Sequence, residues 1–354
     1  MVSDKTELRR RILALHGAVT AAGDSIFFPT GGVFLTTTAE RMHQIKEGKA
    51  ADSATSEVGP EDIWSVYAEW HETVHMFQLV TCPYVRFIAF QLATLARHAY
   101  RQQSQEDGNS PPLSELVDQY RSAVSMFDNA PSPGDFTAWE IIETHAVAQG
   151  VLWLTGSAES GLRQLADYLY NSVRESPQYL RLIHAMGDQV GDQAAIQLLP
   201  RLCFLALQTL EPSKVLAGLC GRLADESSAA RLAISSTPEF CEWVGIDPAR
   251  ISRSLRERDG KLEGHPWMRT FSQYFDRFEA LRDIDARLEL LFGPRGDEAY
   301  RMFRPPFTVY ADGSLALSDH ASSPLAEKEQ ELWVTITTET VEGLALLSKA
   351  ASGN

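Results

Sequence analysis

The chain has 354 residues, 44% hydrophobic and 22% charged, with a formal net charge of -15. These values exclude wholesale disorder, collagen-like repeats and a disulfide-stapled miniature fold. The acid excess argues against a nucleic-acid binder working through its overall field, and against adhesion to an anionic membrane. Cys82, Cys203, Cys220 and Cys241 lie far apart and form no Cys-x-x-Cys pair, which fits a reducing compartment better than a zinc ribbon or thioredoxin-like site. Met1 to Leu15 lacks a signal-peptide apolar region. The longest apolar stretch, Ala195 to Leu210, is interrupted by Gln197, Arg201 and Gln208, so it reads as a buried helix and not a membrane span. The expectation is a cytoplasmic protein with no nucleic-acid and no membrane partner. The sequence does not set an oligomeric state.

In chain order, the charged segment around Leu8 to Arg11 predicts a short first helix. Ser25 to Phe28 and Val33 to Thr38 flank a Pro-Thr-Gly-Gly turn, the pattern of a β-hairpin. A short helix over Ala39 to Glu47 and a loop over Lys46 to Ser56 follow. Two long helices come next, Glu61 to Thr81 between Pro60 and Pro83, and Tyr84 to Arg101. Ile63, Tyr67, Trp70, Val74 and Phe77 form the apolar stripe of the first of them. Further helices are expected over Leu113 to Phe127, Phe136 to Leu154, Gly161 to Glu175, Gln178 to Met186, Gln193 to Thr209, Pro212 to Ala224, Pro238 to Val244 and Met268 to Leu291. Asp312-Gly313 between Thr308-Val-Tyr and Leu315-Ala-Leu predicts a second hairpin. Phe303-Arg-Pro-Pro-Phe307 reads as rigid and extended, and the tail Ser348 to Asn354 as frayed. The fold class is mainly α with small N-terminal and C-terminal hairpins. A composition shift suggests parts 1–157 and 158–354, or a single domain.

The segment that carries chemistry is His71-Glu72-Thr73-Val74-His75 on a predicted helix. Histidines four apart project from one helical face and can grip one metal ion. Glu72, next to His71, can reach a metal-activated water. The pair belongs to a partly polar stripe, Trp64, Ala68, His71, His75 and Gln78, beside the apolar one. A third ligand is sought on the apolar helix at 136–154. Glu140 and Glu143 are three apart there, and carboxylates in such surroundings are costly unless paired, protonated or metal-bound. His145 points nearly opposite to Glu143 and is the weaker candidate.

With His71-Glu72-x-x-His75 and a downstream helix carrying Glu143-Thr-His-Ala146, the chain resembles the gluzincin zinc metallopeptidases. The resemblance spans about 85 residues. It implies a zincin-like fold, one zinc ion held by His71, His75 and Glu143, Glu72 as general base, and a peptide or protein substrate. It departs from the group's pattern in the 68-residue gap from His75 to Glu143 and in Val147, where a second carboxylate often follows the ligand. Glu140 therefore stands as an alternative third ligand, or as a group supporting the ligands. His184, His265 and several tyrosines are available to stabilise an oxyanion, and the sequence does not choose among them.

Two rival readings exist. Glu40-x-x-His43 and Glu72-x-x-His75, with Glu140 and Glu143, imitate the ligand grammar of helical di-iron oxidoreductases, with iron as the metal. A non-enzymatic partner-binding scaffold is the other, and it has no reason to bring these side chains together. No P-loop, Gly-x-Gly-x-x-Gly or Gly-x-Ser-x-Gly pattern supports a nucleotide-dependent or serine-hydrolase reading.

Overall fold

Helices carry most of the described residues, and the strands are confined to two short hairpins. The structure is a computed structural model. It describes residues 26–27, 29–47, 59–104, 111–128, 130, 132, 135–155, 162–173, 177–223, 226–233, 235, 237–245, 305, 307–317 and 327–353. The helices expected near Leu8 and over Met268–Leu291, most of the loop Lys46–Ser56 and the stretch Phe303–Arg304 lie outside these residues. The chain forms two units that interleave along the sequence instead of dividing at residue 157: residues 1–76, 86–129 and 304–354, and residues 77–85 and 130–303.

In the first unit, β1 (Ile26–Phe27) pairs antiparallel with β2 (Gly32–Phe34), and β3 (Phe307–Val309) pairs antiparallel with β4 (Leu315–Leu317). Both hairpins occur where turn chemistry predicts them. They also join, because β2 runs parallel to β3 with Val33 opposite Thr308, giving one four-stranded sheet. The helix α1 (Ala39–Lys46) follows β2, capped by Thr38, whose hydroxyl accepts from Arg41 N at 3.2 Å. Asp312 accepts from Ser314 N within the β3–β4 turn and from Ala39 N at the start of α1, so one carboxylate ties the second hairpin to this helix.

The long helix α2 (Pro60–Thr81) and α3 (Pro83–Gln103) meet at Cys82 with a bend of 95°. Pro83 accounts for the break, since a helix disfavours the residue before proline. Taken together, α2 and α3 are apolar enough for a membrane span only as this bent pair, and no single described helix is long and apolar enough to cross a membrane. A buried cluster joins Leu95 and Ala99 of α3, Leu116 and Val117 of α4 (Leu113–Asp128) and Leu347 of the last helix.

That last helix, α12, runs over Glu327–Ala351. Its stretch Val334-Thr-Ile-Thr-Thr-Glu-Thr340 is β-branched at almost every position, a strand-like composition. Packing overrides that preference. Thr338 and Thr340 donate their hydroxyls to the carbonyls of Val334 and Ile336 at 2.8 Å, and Thr337 meets Thr30 at 2.6 Å inside the fold. Gly343 packs so closely on α3 that a Cβ there would collide with the Ala96 carbonyl. The tail expected to fray is helical through Ala351, because Ala350 and Ala351 pack on the buried cluster and Arg121 donates to the Ala351 carbonyl at 2.8 Å.

In the second unit, α5 (Ala138–Thr155) packs against α8 (Asp192–Ala206), which is buried on nearly every side. Between them in sequence come α6 (Leu162–Asp167) and α7 (Arg181–Val190), the latter preceded by a 3-10 turn at Pro177–Leu180. The helix expected over Gly161–Glu175 widens into a π-helical turn at Tyr168–Val173. After α8 come α9 (Pro212–Cys220), α10 (Glu226–Ala233) and α11 (Thr237–Val244). The buried Arg201 of α8 donates to the carbonyls of Leu232 and Ser235, closing the C-terminal end of α10. Burial lowers its pKa to about 10.

Candidate metal centre

On α2, spacing decides which side chains share a face, and burial decides what they meet. The expected apolar stripe is only partly right. Ile63 and Trp70 are half-buried, whereas Trp64, Ala68, His71, His75 and Gln78, the adjacent and partly polar stripe, are all buried. From His71 to Val80 the helix is buried on every side.

One turn of α2 brings the two imidazoles together. His71 Nε2 and His75 Nε2 are 3.1 Å apart, with ring planes at 82°. Two ligands of a tetrahedral ion at about 2.0–2.1 Å lie roughly 3.3 Å from one another, so the pair is already set near a bidentate grip. The other nitrogen of His71, Nδ1, faces the hydroxyl of the buried Tyr67 at 3.4 Å, one turn earlier. With the Tyr67 oxygen accepting from Nδ1–H, the Nε2 lone pair is left for a metal. Trp64 packs against Tyr67 in turn, with ring centroids 5.5 Å apart.

The carboxylate that joins them is Glu143. The donor atoms of His71, His75 and the half-buried Glu143 all lie within 4.8 Å of one another, and a group of this composition could hold a metal ion. The last turns of α2, from Phe77, belong with α5, and Gln78 grips that helix directly. Its amide Nε2 donates to the Ile142 carbonyl at 2.8 Å and to His145 Nδ1 at 3.0 Å. Gln78 lies three residues after His75, on the same stripe, and its two partners flank Glu143 in sequence.

Glu140 does different work. Thr137 and Glu140 form a reciprocal cap at the start of α5, with Glu140 N donating to the Thr137 hydroxyl at 3.1 Å and Thr137 N donating to Glu140 Oε2 at 2.8 Å. Arg181 binds both oxygens of the same carboxylate, Nη2 at 2.7 Å from Oε2. Burial pushes this carboxyl upward, but the bonds from Arg181 and Thr137 outweigh it and hold the pKa below the ordinary value. The sequence carried the signal, since Thr137-x-x-Glu140 is the capping-box spacing.

Glu72 is buried, next to His71. Glu69, one turn before it, pairs with Lys46 of α1. His145 is fully buried between Phe77 and Phe204, and it serves as an acceptor for Gln78. Cys82 is a buried thiol accepting from Gln208 Nε2 at 3.5 Å. His184 pairs with Asp167 at 2.7 Å, and His265 lies outside the described residues. Glu40 and His43 stand exposed on α1, where His43 pairs with Glu47 at 3.2 Å. No protein-family model matches this sequence, and no curated protein or solved structure matches it.

Proposed function

We propose that the protein is a cytoplasmic zinc-dependent hydrolase acting on peptide bonds, with His71, His75 and Glu143 as ligands and Glu72 as general base. The observation that carries this reading is the convergence of three metal-competent donors, two of them buried, on a helix that also holds a buried glutamate beside the first histidine. Imidazole nitrogens and a carboxylate oxygen are the donor types that zinc takes. A zinc ion, when bound, lowers the pKa of water towards about 7 and polarises a carbonyl. Glu72 takes the proton from the attacking water and returns it to the leaving nitrogen as the C–N bond breaks. Tyr67 holds the His71 ring, and Gln78 holds the helix that carries Glu143. Four free cysteines agree with a reducing compartment.

The di-iron alternative draws less support, because exposed Glu40 and His43 stand outside the group that forms among the described residues. Metal content of the purified protein, followed by a peptide-library digest, tests the proposal. The expected result is about one zinc per chain and cleavage that Glu72→Gln abolishes while keeping the metal. Protein that neither carries nor takes up zinc, or a Glu72→Gln variant that still cleaves, overturns it. Two irons per chain would transfer the assignment to the oxidoreductase class.

A further inference from the structure

We infer that Gln78 is a positioning residue that sets the third ligand, and this rests on the metal reading above. Gln78 is fully buried, three residues after His75 and seven after His71, so all three project from one side of α2. A buried amide must be satisfied, and two hydrogen bonds of the Gln78 nitrogen go to α5. Its two acceptors, the Ile142 carbonyl at 2.8 Å and His145 Nδ1 at 3.0 Å, are consecutive grips on a single helical turn, Ile142-Glu143-Thr144-His145. Two bonds from one nitrogen to one turn fix both the height and the rotation of that turn. A slide of α5 by one residue would rotate Glu143 by about 100° and lift it about 1.5 Å, away from the histidines.

The bond to His145 has a second consequence. Because Gln78 Nε2 donates to Ile142, it is the nitrogen, and it must also donate to Nδ1. His145 is thereby held as an acceptor at Nδ1, wedged between Phe77 and Phe204 with ring centroids 6.1 and 6.3 Å away. The histidine that sequence inspection treats as a weak ligand becomes the far anchor of the clamp. The metal site therefore has five residues built into two helices: three that donate to the ion, and Gln78 with His145 that hold the third donor in place.

The experiment is a zinc titration of the full chain against a chromophoric chelator, with a parallel visible spectrum of the cobalt(II) form. Gln78→Met keeps the volume and removes both bonds. It should weaken zinc binding by about 10- to 100-fold and change the cobalt spectrum from that of a four-coordinate site with three protein ligands. His145→Met, which leaves the Ile142 bond, should act in the same direction by less, and it serves if Gln78→Met does not fold. Val151→Ala, a cavity in the same helix two turns beyond Glu143, controls for general loosening. Unchanged affinity and spectrum in both clamp variants overturn the inference and leave the metal reading standing, as does an equal loss in Val151→Ala. Wild-type protein that binds neither zinc nor cobalt overturns both.

Discussion

Two four-residue stretches, Glu40-x-x-His43 on α1 and Glu72-x-x-His75 on α2, share one spacing and have opposite surroundings. The first faces solvent, and its histidine pairs with Glu47 one turn on. The second is buried along with His71, and Glu143 meets the histidines there. Helical spacing makes both pairs geometrically able to share a ligand. Among the described residues, only the second is buried and has a further donor close by. The helices are themselves coupled, since Arg41 and Lys46 of α1 pair with Asp62 and Glu69 of α2. The inward face of α1 is thus spent on docking, and Glu40 and His43 take the outward one.

The largest test of this contrast is ligand deletion. His75→Ala should reduce bound zinc from about one per chain to near none, while His43→Ala leaves the content unchanged, both read by elemental analysis. Equal losses would make the two stretches equivalent. Next comes the pair Glu72→Gln and Glu40→Gln. The first should lower the turnover number by about 10²- to 10⁴-fold with metal retained, and the second should not change it. Third, Tyr67→Phe removes the group facing His71 Nδ1 and should weaken zinc binding by about tenfold in a competition assay, at the low end because the contact is long.

The smaller effects concern the carboxylates that support structure. Thr137→Ala should cost about 1 kcal/mol of stability by denaturant titration, through loss of the α5 cap. Asp62 sharpens the comparison at the α1 side. The hydrogen bond from Arg41 holds its carboxyl below the ordinary 3.8, despite some burial. A lowered native pKa contributes stability that is fully present above the unfolded value and is lost as pH falls through the native one. Asp62→Asn should therefore lower stability at pH above about 4, by no more than about 1 kcal/mol because Arg41 is partly exposed, and the difference from wild type should vanish as pH falls through the native pKa. A difference that persists unchanged in acid would contradict the assignment.

Much of the site was legible in the chain because it is local. Helix period alone puts His71, His75 and Gln78 on one face, and Pro60 and Pro83 bound the helix that carries them. The capping role of Glu140 was also available, in the Thr137-x-x-Glu140 spacing. The stripe assignment on α2 was only partly right, for a different reason. Apolarity predicts burial only when neighbours are limited, and α2 is enclosed on all sides from His71 onward. The helical state of residues 334–340 was hidden by their β-branched composition, which local preference reads as strand.

What the sequence determined by itself is what neighbours in the chain impose: the mainly helical class, the two hairpins at their Gly-containing turns, and the pairing of His71 with His75 across one turn. Tertiary structure alone decided the rest. It placed β2 beside β3 across more than 270 residues, stacked α12 on α3 through Gly343, and set the donor atoms of Glu143 within 4.8 Å of those of His71 and His75, 72 and 68 positions earlier. Each of these contacts closes a long loop, and its return comes from packing and hydrogen bonds formed only when the partners have already met.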